Sequence, residues 1–125
     1  MPRFVLLYHD CPPHLDKPSH WDFMLEDEDV LLTWALAQHP TALEAEGSPI
    51  VAAQLADHRL AYLDYEGPVS GNRGHVTRVD AGTFTWIERT PVRLRFQLAG
   101  IVLAGEAALT VNGDAWHFAR VRGGG

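Results

Sequence analysis

Polar and apolar residues alternate without a break from His20 to Glu26, which is the period of a β-strand. His20, Asp22, Met24 and Glu26 therefore share one face, and Trp21, Phe23 and Leu25 share the other. The second set predicts a core face. The first sets an imidazole and a carboxylate two residues apart, roughly 6–7 Å along the strand, close enough for both to reach one metal ion or phosphate. Taken alone, His-x-Asp on a strand reads more readily as the polar side of an ordinary half-buried sheet, and what shifts the balance is His9 and His14 just upstream.

The same patterning organises the rest of the chain. Arg3 to Tyr8 is a short, continuous apolar run that predicts a buried first strand ending at His9-Asp10. Three prolines between Cys11 and Ser19 exclude a strand ladder and predict a loop. The acidic Asp27-Glu28-Asp29 predicts a hairpin turn, with Val30–Leu36 as the returning strand. Gln38 to Ile50 has no clean period and predicts a surface connection with one helical turn around Thr41 to Ala45. Val51 to Ala56 fits a helix by its alanines and a strand by its alternation. Gly74 to Asp80 and Gly82 to Glu88 predict a strand pair turning at Ala81-Gly82, and Thr90-Pro91 turns the chain again. Val92–Leu98, Glu106–Val111 and Ala115–Val121 predict further strands, the last two joined by a hairpin at Asn112-Gly113; Gly123–Gly125 predicts a frayed tail. Short strands with a turn every 8 to 12 residues or so predict an all-β fold, an antiparallel barrel or sandwich.

Composition narrows the class. At 125 residues, 46% of them hydrophobic, the chain is expected to form a single domain, residues 1–125, with its own core. No apolar run approaches membrane-spanning length, and Met1–Tyr8 lacks the features of a signal peptide, so a cytoplasmic protein without a membrane partner is expected. The single cysteine, Cys11, excludes an internal disulfide, and we assign it no catalytic role. A net charge of −6 argues against a broad grip on nucleic acid, which needs many Lys and Arg contacts, but leaves a local site for a strand end open. Seven histidines turn attention to metal or phosphoryl chemistry.

His9, His20, Asp22, His58 and Tyr62 together describe a His/carboxylate metal site with a further imidazole and a phenol nearby. Such nitrogen and oxygen donors suit a divalent ion such as manganese or zinc, which would polarise a phosphoryl oxygen or acidify a bound water. His58 and Tyr62, four residues apart, would hold an anion or handle a proton. For either alone, a surface His and an amphipathic Tyr at a strand end is an equally good reading.

Several short motifs in one order carry a resemblance. Phe4-Val5-Leu6-Leu7-Tyr8-His9, His20-Trp21-Asp22-Phe23-Met24-Leu25-Glu26, Thr33-Trp34-Ala35, Asp57-His58-Arg59-Leu60-Ala61-Tyr62, Tyr65-Glu66-Gly67 and Val79-Asp80-Ala81-Gly82-Thr83 together resemble the 3′-phosphoesterase domain of bacterial DNA ligase D. The resemblance implies a compact β-barrel that trims DNA or RNA 3′ ends, or a related phosphate ester, with Mn2+, Zn2+ or another divalent metal serving less typically. It implies His20 and Asp22 as metal ligands, Asp22, His58 and Tyr62 as catalytic residues, and His58 and Tyr62 as phosphate-handling residues. The third ligand is His9 by strand register; His14 is the alternative by its spacing of six residues from His20. Where the family carries a phosphate-clamping arginine, this chain has Met24, and Arg59, Arg73 or Arg78 would have to replace it. Arginine restored at position 24 is then expected to raise turnover. Partners implied are a nucleic-acid 3′ end or small phosphate ester, and separate ligase or polymerase repair proteins. The competing reading is a non-catalytic module that binds metal and phosphate, which Met24 favours.

Overall fold

The computed structural model describes residues 1–40 and 49–121. Its strands are β1 (Arg3–Asp10), β2 (His20–Asp27), β3 (Val30–Leu36), β4 (Ile50–Arg59), β5 (Gly67–Pro68), β6 (His75–Arg89), β7 (Arg93–Gly100), β8 (Ala104–Asn112) and β9 (Ala115–Arg120), with one 3-10 turn, η1 (Leu60–Leu63), between β4 and β5. All pairings are antiparallel, in the order β1-β2-β3-β4-β9-β8-β7-β6, and β6 pairs back with β1. Eight strands thus close into a barrel with no free edge in the main sheet, and β5 is a two-residue appendage on β6. The expected all-β barrel is the fold. No helix among the described residues is long and apolar enough to cross a membrane.

The barrel interior is filled by Phe4, Leu6, Phe23, Leu25, Trp34, Phe84, Phe96, Leu109 and Phe118 with their neighbours. The alternation on β2 explains why Phe23 and Leu25 point inward; Trp21 packs at the edge of the same cluster. What alternation alone does not explain is that Met24 is buried as completely as its neighbours. The outer face of β1 and β2 carries a second cluster, Val5, Leu7, Met24, Leu31, Leu63 and Val76, against which Leu60, Tyr62 and Val69 pack. Both faces of β1 are therefore covered, and its run Phe4-Val5-Leu6-Leu7 is apolar at every position for that reason.

Two readings of the chain are settled by pairing. Val51–Ala56 is strand, because β4 is held between β3 and β9 and sheet context outweighs the helical preference of alanine. The turn expected at Ala81-Gly82 is absent: β6 runs unbroken from His75 to Arg89. Gly82 sits directly opposite Gly100 of β7, and a Cβ there would lie 2.2 Å from the Ala99 carbonyl oxygen. The glycine answers a close approach of two backbones, not a reversal. The hairpins at Asp27–Val30 and Asn112–Ala115 form as expected, with positive φ at Glu28 and Gly113. The helical turn expected at Thr41–Ala45 and the tail Gly123–Gly125 lie outside the described residues.

Candidate functional site

His9 and His20 are direct partners across the β1–β2 ladder, and Asp22 faces Leu7 two positions further in. This register brings His9, His20 and Asp22 to one patch of the outer face. His20 Nε2 lies 2.9 Å from Asp22 Oδ1, and His9 Nδ1 lies 3.6 Å from Asp22 Oδ2. The remaining nitrogen of each imidazole has a carbonyl partner. His20 Nδ1 is 3.0 Å from the Pro18 carbonyl oxygen, and His9 Nε2 is 2.8 Å from that of Arg73. In the neutral rings those nitrogens carry the proton, so the lone pairs of His20 Nε2 and His9 Nδ1 are the ones turned toward the carboxylate.

Burial of Asp22 opposes its ionisation, but contacts with His20 and His9 in their protonated forms outweigh the burial and hold its carboxyl at about 2. The same contact with Asp22 raises His9, against the opposing effect of burial and with help from the Arg73 carbonyl. Despite their closeness, His20 Nε2 and Asp22 Oδ1 are both buried and lack a partner with hydrogen-bond geometry. An orphaned imidazole nitrogen and an orphaned carboxylate oxygen, with the two flanking rings held from behind by the Pro18 and Arg73 carbonyls, meet the requirements of a divalent cation site, so the residues fit the metal that the sequence implies.

Cys11 stands beside this group, its Sγ 3.9 Å from His20 Nδ1, and His9, Cys11 and His20 form a second set of closely spaced donor atoms. That nitrogen of His20 is engaged by Pro18, and burial pushes the Cys11 thiol up, away from the thiolate a metal needs. The Asp22 set is the better one. His14 is apart from it, exposed in the proline-rich loop with Nε2 3.0 Å from the Asn72 carbonyl oxygen.

The patch opens into a cleft of about 460 Å³, also lined by Lys17, Met24, Leu55, His58, Tyr62, Val69 and Arg73. His58 reaches it through a bulge. Leu31 pairs with His58 and Thr33 with Leu55, so Ala56 and Asp57 of β4 oppose the single residue Leu32. Three residues apart on a regular strand, Leu55 and His58 would face opposite sides; the bulge absorbs the odd residue and both line the cleft. His58 Nδ1 is 2.8 Å from the Ala56 carbonyl oxygen, and its ring meets Tyr62 edge-on at 5.5 Å. Arg73 Nε and Nη2 donate to the carbonyl and hydroxyl oxygens of Ser70, which fix the guanidinium at the cleft wall.

Of the arginines expected to replace the clamp, only Arg73 lines this cleft. Arg59 lies beyond Tyr62, and Arg78 is exposed elsewhere on β6. Sequence reasoning missed Lys17, a cation at the rim; its only signal was its place in the loop leading into His20.

Residues 12–112 match the family model described as the DNA Ligase D 3′-phosphoesterase domain. The matched segment contains His14, His20, Asp22, His58 and Tyr62, while His9 precedes it and rests on the β1–β2 register alone. No curated protein matches the chain.

Proposed function

The chain belongs to the DNA ligase D 3′-phosphoesterase domain family, and on that premise we propose that it is a metal-dependent phosphoesterase acting on nucleic-acid 3′ ends or a related phosphate ester. The observation that carries the metal is the buried, orphaned pair His20 Nε2 and Asp22 Oδ1, with His9 Nδ1 on the other carboxylate oxygen. His9, His20 and Asp22 would hold a divalent ion, manganese on the family's precedent, whose charge polarises a phosphoryl oxygen. Carbonyl contacts from Pro18 and Arg73 orient the two imidazoles, so ligand geometry is set before any ion arrives.

The other residues of the cleft supply position and protons. His58, with Nδ1–H donating to Ala56, presents Nε2 to bound substrate, to accept a proton or, when protonated, to give one to a leaving oxygen. The Tyr62 hydroxyl is a hydrogen-bond donor for a phosphoryl oxygen, and Lys17 and Arg73 supply positive charge on the side where the family arginine is missing. Release of phosphate from a 3′-phosphorylated primer–template with added Mn2+ tests the reading. Wild type should release phosphate, and Asp22→Asn and His58→Ala should each lower the rate by about 100-fold or more.

Met24 favours one alternative. It is buried among aliphatic side chains and puts no charge on the central strand, which suits a module that binds metal and phosphorylated ends without turnover. Tight, Mn2+-dependent binding of the 3′-phosphorylated end with no phosphate release would select that alternative.

A further inference from the structure

The metal cleft is not the only cavity that Tyr62 lines. On its other side lies a second cleft of about 210 Å³, formed by Arg59, Ala61, Tyr62, Tyr65, Pro68 and Ser70. His58 and Arg59 are consecutive at the end of β4, yet His58 lines the metal cleft and Arg59 the second one, with Tyr62 common to both. A ligand anchored in the first cleft and extended along Tyr62 would meet Arg59.

The second cleft is prepared for a particular kind of ligand. Arg59 is exposed and has no ion pair or hydrogen bond among the described residues, whereas Arg3, Arg89 and Arg95 each have a carboxylate partner. The rings of Tyr62 and Tyr65 stand perpendicular with centroids 5.8 Å apart. Tyr65 is held in place, because its hydroxyl donates to the Pro68 carbonyl. Gly67, at φ +139°, leaves room for that hydroxyl: a Cβ there would come within 3.0 Å of the oxygen. A fixed aromatic wall beside an unpaired guanidinium combines the two elements by which proteins hold single nucleotides, ring contact and charge-assisted pairing with phosphate. The chain's net charge of −6 leaves little for a diffuse grip on nucleic acid, so local contacts of this kind must carry recognition.

We propose that the second cleft holds the nucleotide unit attached to the phosphate in the metal cleft, with Tyr65 against its sugar or base and Arg59 paired to its 5′-phosphate. The proposal rests on the reading above in taking the metal cleft as the seat of the 3′-phosphate. It makes the preferred substrate a 3′-phosphorylated strand with a phosphodiester on its 5′ side, and it gives Arg59 a role in specificity, not in the reaction itself.

A matched pair of probes isolates that contact: a nucleoside 3′-monophosphate and the corresponding nucleoside 3′,5′-bisphosphate, which differ only in the 5′-phosphate. Binding is measured by calorimetry on the full chain with Mn2+, and kcat and KM for release of the 3′-phosphate are measured in parallel. Wild type is expected to bind the bisphosphate about tenfold more tightly, with the difference in KM and not in kcat. Arg59→Ala should erase the preference, Arg59→Lys should retain part of it, and Tyr65→Ala should weaken both probes. Arg59 is exposed and unpaired, so its loss does not threaten the fold. If wild type binds and cleaves both probes equally, or if Arg59→Ala keeps the preference, the second cleft is not a nucleotide site, while the phosphoesterase reading survives. If neither probe binds in a manner that depends on Asp22, both fall.

Discussion

Two aspartates are buried in this barrel to the same degree, Asp22 on β2 and Asp80 on β6, and they are treated in opposite ways. Asp80 accepts hydrogen bonds from the backbone N–H groups of Ile101, Val102 and Leu103 at 3.0, 3.1 and 2.7 Å. It ties the β7–β8 connection to the wall of the barrel. Among the described residues Asp22 accepts no backbone hydrogen bond; its neighbours are the ring nitrogens of His20 and His9, and one oxygen remains orphaned. A buried carboxylate saturated by amide donors is a structural fastening. One flanked by imidazole nitrogens depends on a positive charge beside it, a proton on a ring or a cation between the ligands. Burial alone, therefore, does not distinguish function from architecture; the partners do.

Substitution should separate the two sites. The largest effect on stability is expected from Asp80→Ala, which strands three amide donors and should cost about 3 kcal/mol or more, lowering Tm by ~10 °C or more in thermal unfolding while leaving metal affinity of the folded protein unchanged. Asp80→Asn, which keeps one acceptor, should lose less. If instead Asp80→Ala weakened metal binding as much as Asp22→Asn does, the contrast between the two carboxylates would collapse.

A smaller and mixed effect is expected at Met24. Its side chain packs with Val5, Leu7, Leu31, Leu63 and Val76, yet it also borders the cleft that His9, His20 and Asp22 line. Met24→Arg would keep its stem in that cluster and extend the guanidinium into the cleft, at a cost of roughly 1–3 kcal/mol in stability. Turnover on a 3′-phosphorylated oligonucleotide should rise about tenfold if the missing clamp limits the rate. A loss of stability without any gain in turnover would mean that Lys17 or Arg73 already serves, and Lys17→Ala or Arg73→Ala should then lower the rate sharply.

The smallest effect is on pH dependence. Asp22 is held at about 2 against an ordinary 3.8, so its contribution, about 2 kcal/mol, is present above roughly pH 4 and is lost as pH falls toward 2. His9 is raised, so its contribution is complete below its ordinary 6.5 and is lost as pH rises through the raised value. Thermal unfolding of the metal-free protein should show a Tm plateau between those limits that falls on either side. Added Mn2+ should remove the decline on the alkaline side, because the ion takes the place of the proton on His9. A His9→Ala variant that kept the alkaline decline would assign it to another group.

How much of this was legible in the sequence follows from the range over which each signal acts. The shared face of His20 and Asp22 is a period-two property of seven consecutive residues and was readable directly. His9 depended on which strand pairs with β2 and in what register, and the proline-rich loop hides that register by changing the count of residues between the two histidines. His58 reaches the cleft only through the two-against-one mismatch at Ala56-Asp57, which no local pattern announces. Gly82 misled because a glycine in a strand marks either a turn or a close approach, and only the partner Gly100 decides between them. The second cluster was visible as the unbroken apolar run of β1, but its cover, η1 and the segment to Val69, is brought there by the fold.

The central claim is that Asp22, with His9 and His20, is a metal centre, and Mn2+ titration calorimetry of the full chain at neutral pH tests it most directly. One ion per chain is expected for wild type, Asp80→Asn and His14→Ala, with affinity reduced by about 100-fold or more in Asp22→Asn, His9→Ala and His20→Ala. Unchanged stoichiometry and affinity in Asp22→Asn, or loss of binding in His14→Ala with retention in His9→Ala, would contradict the account.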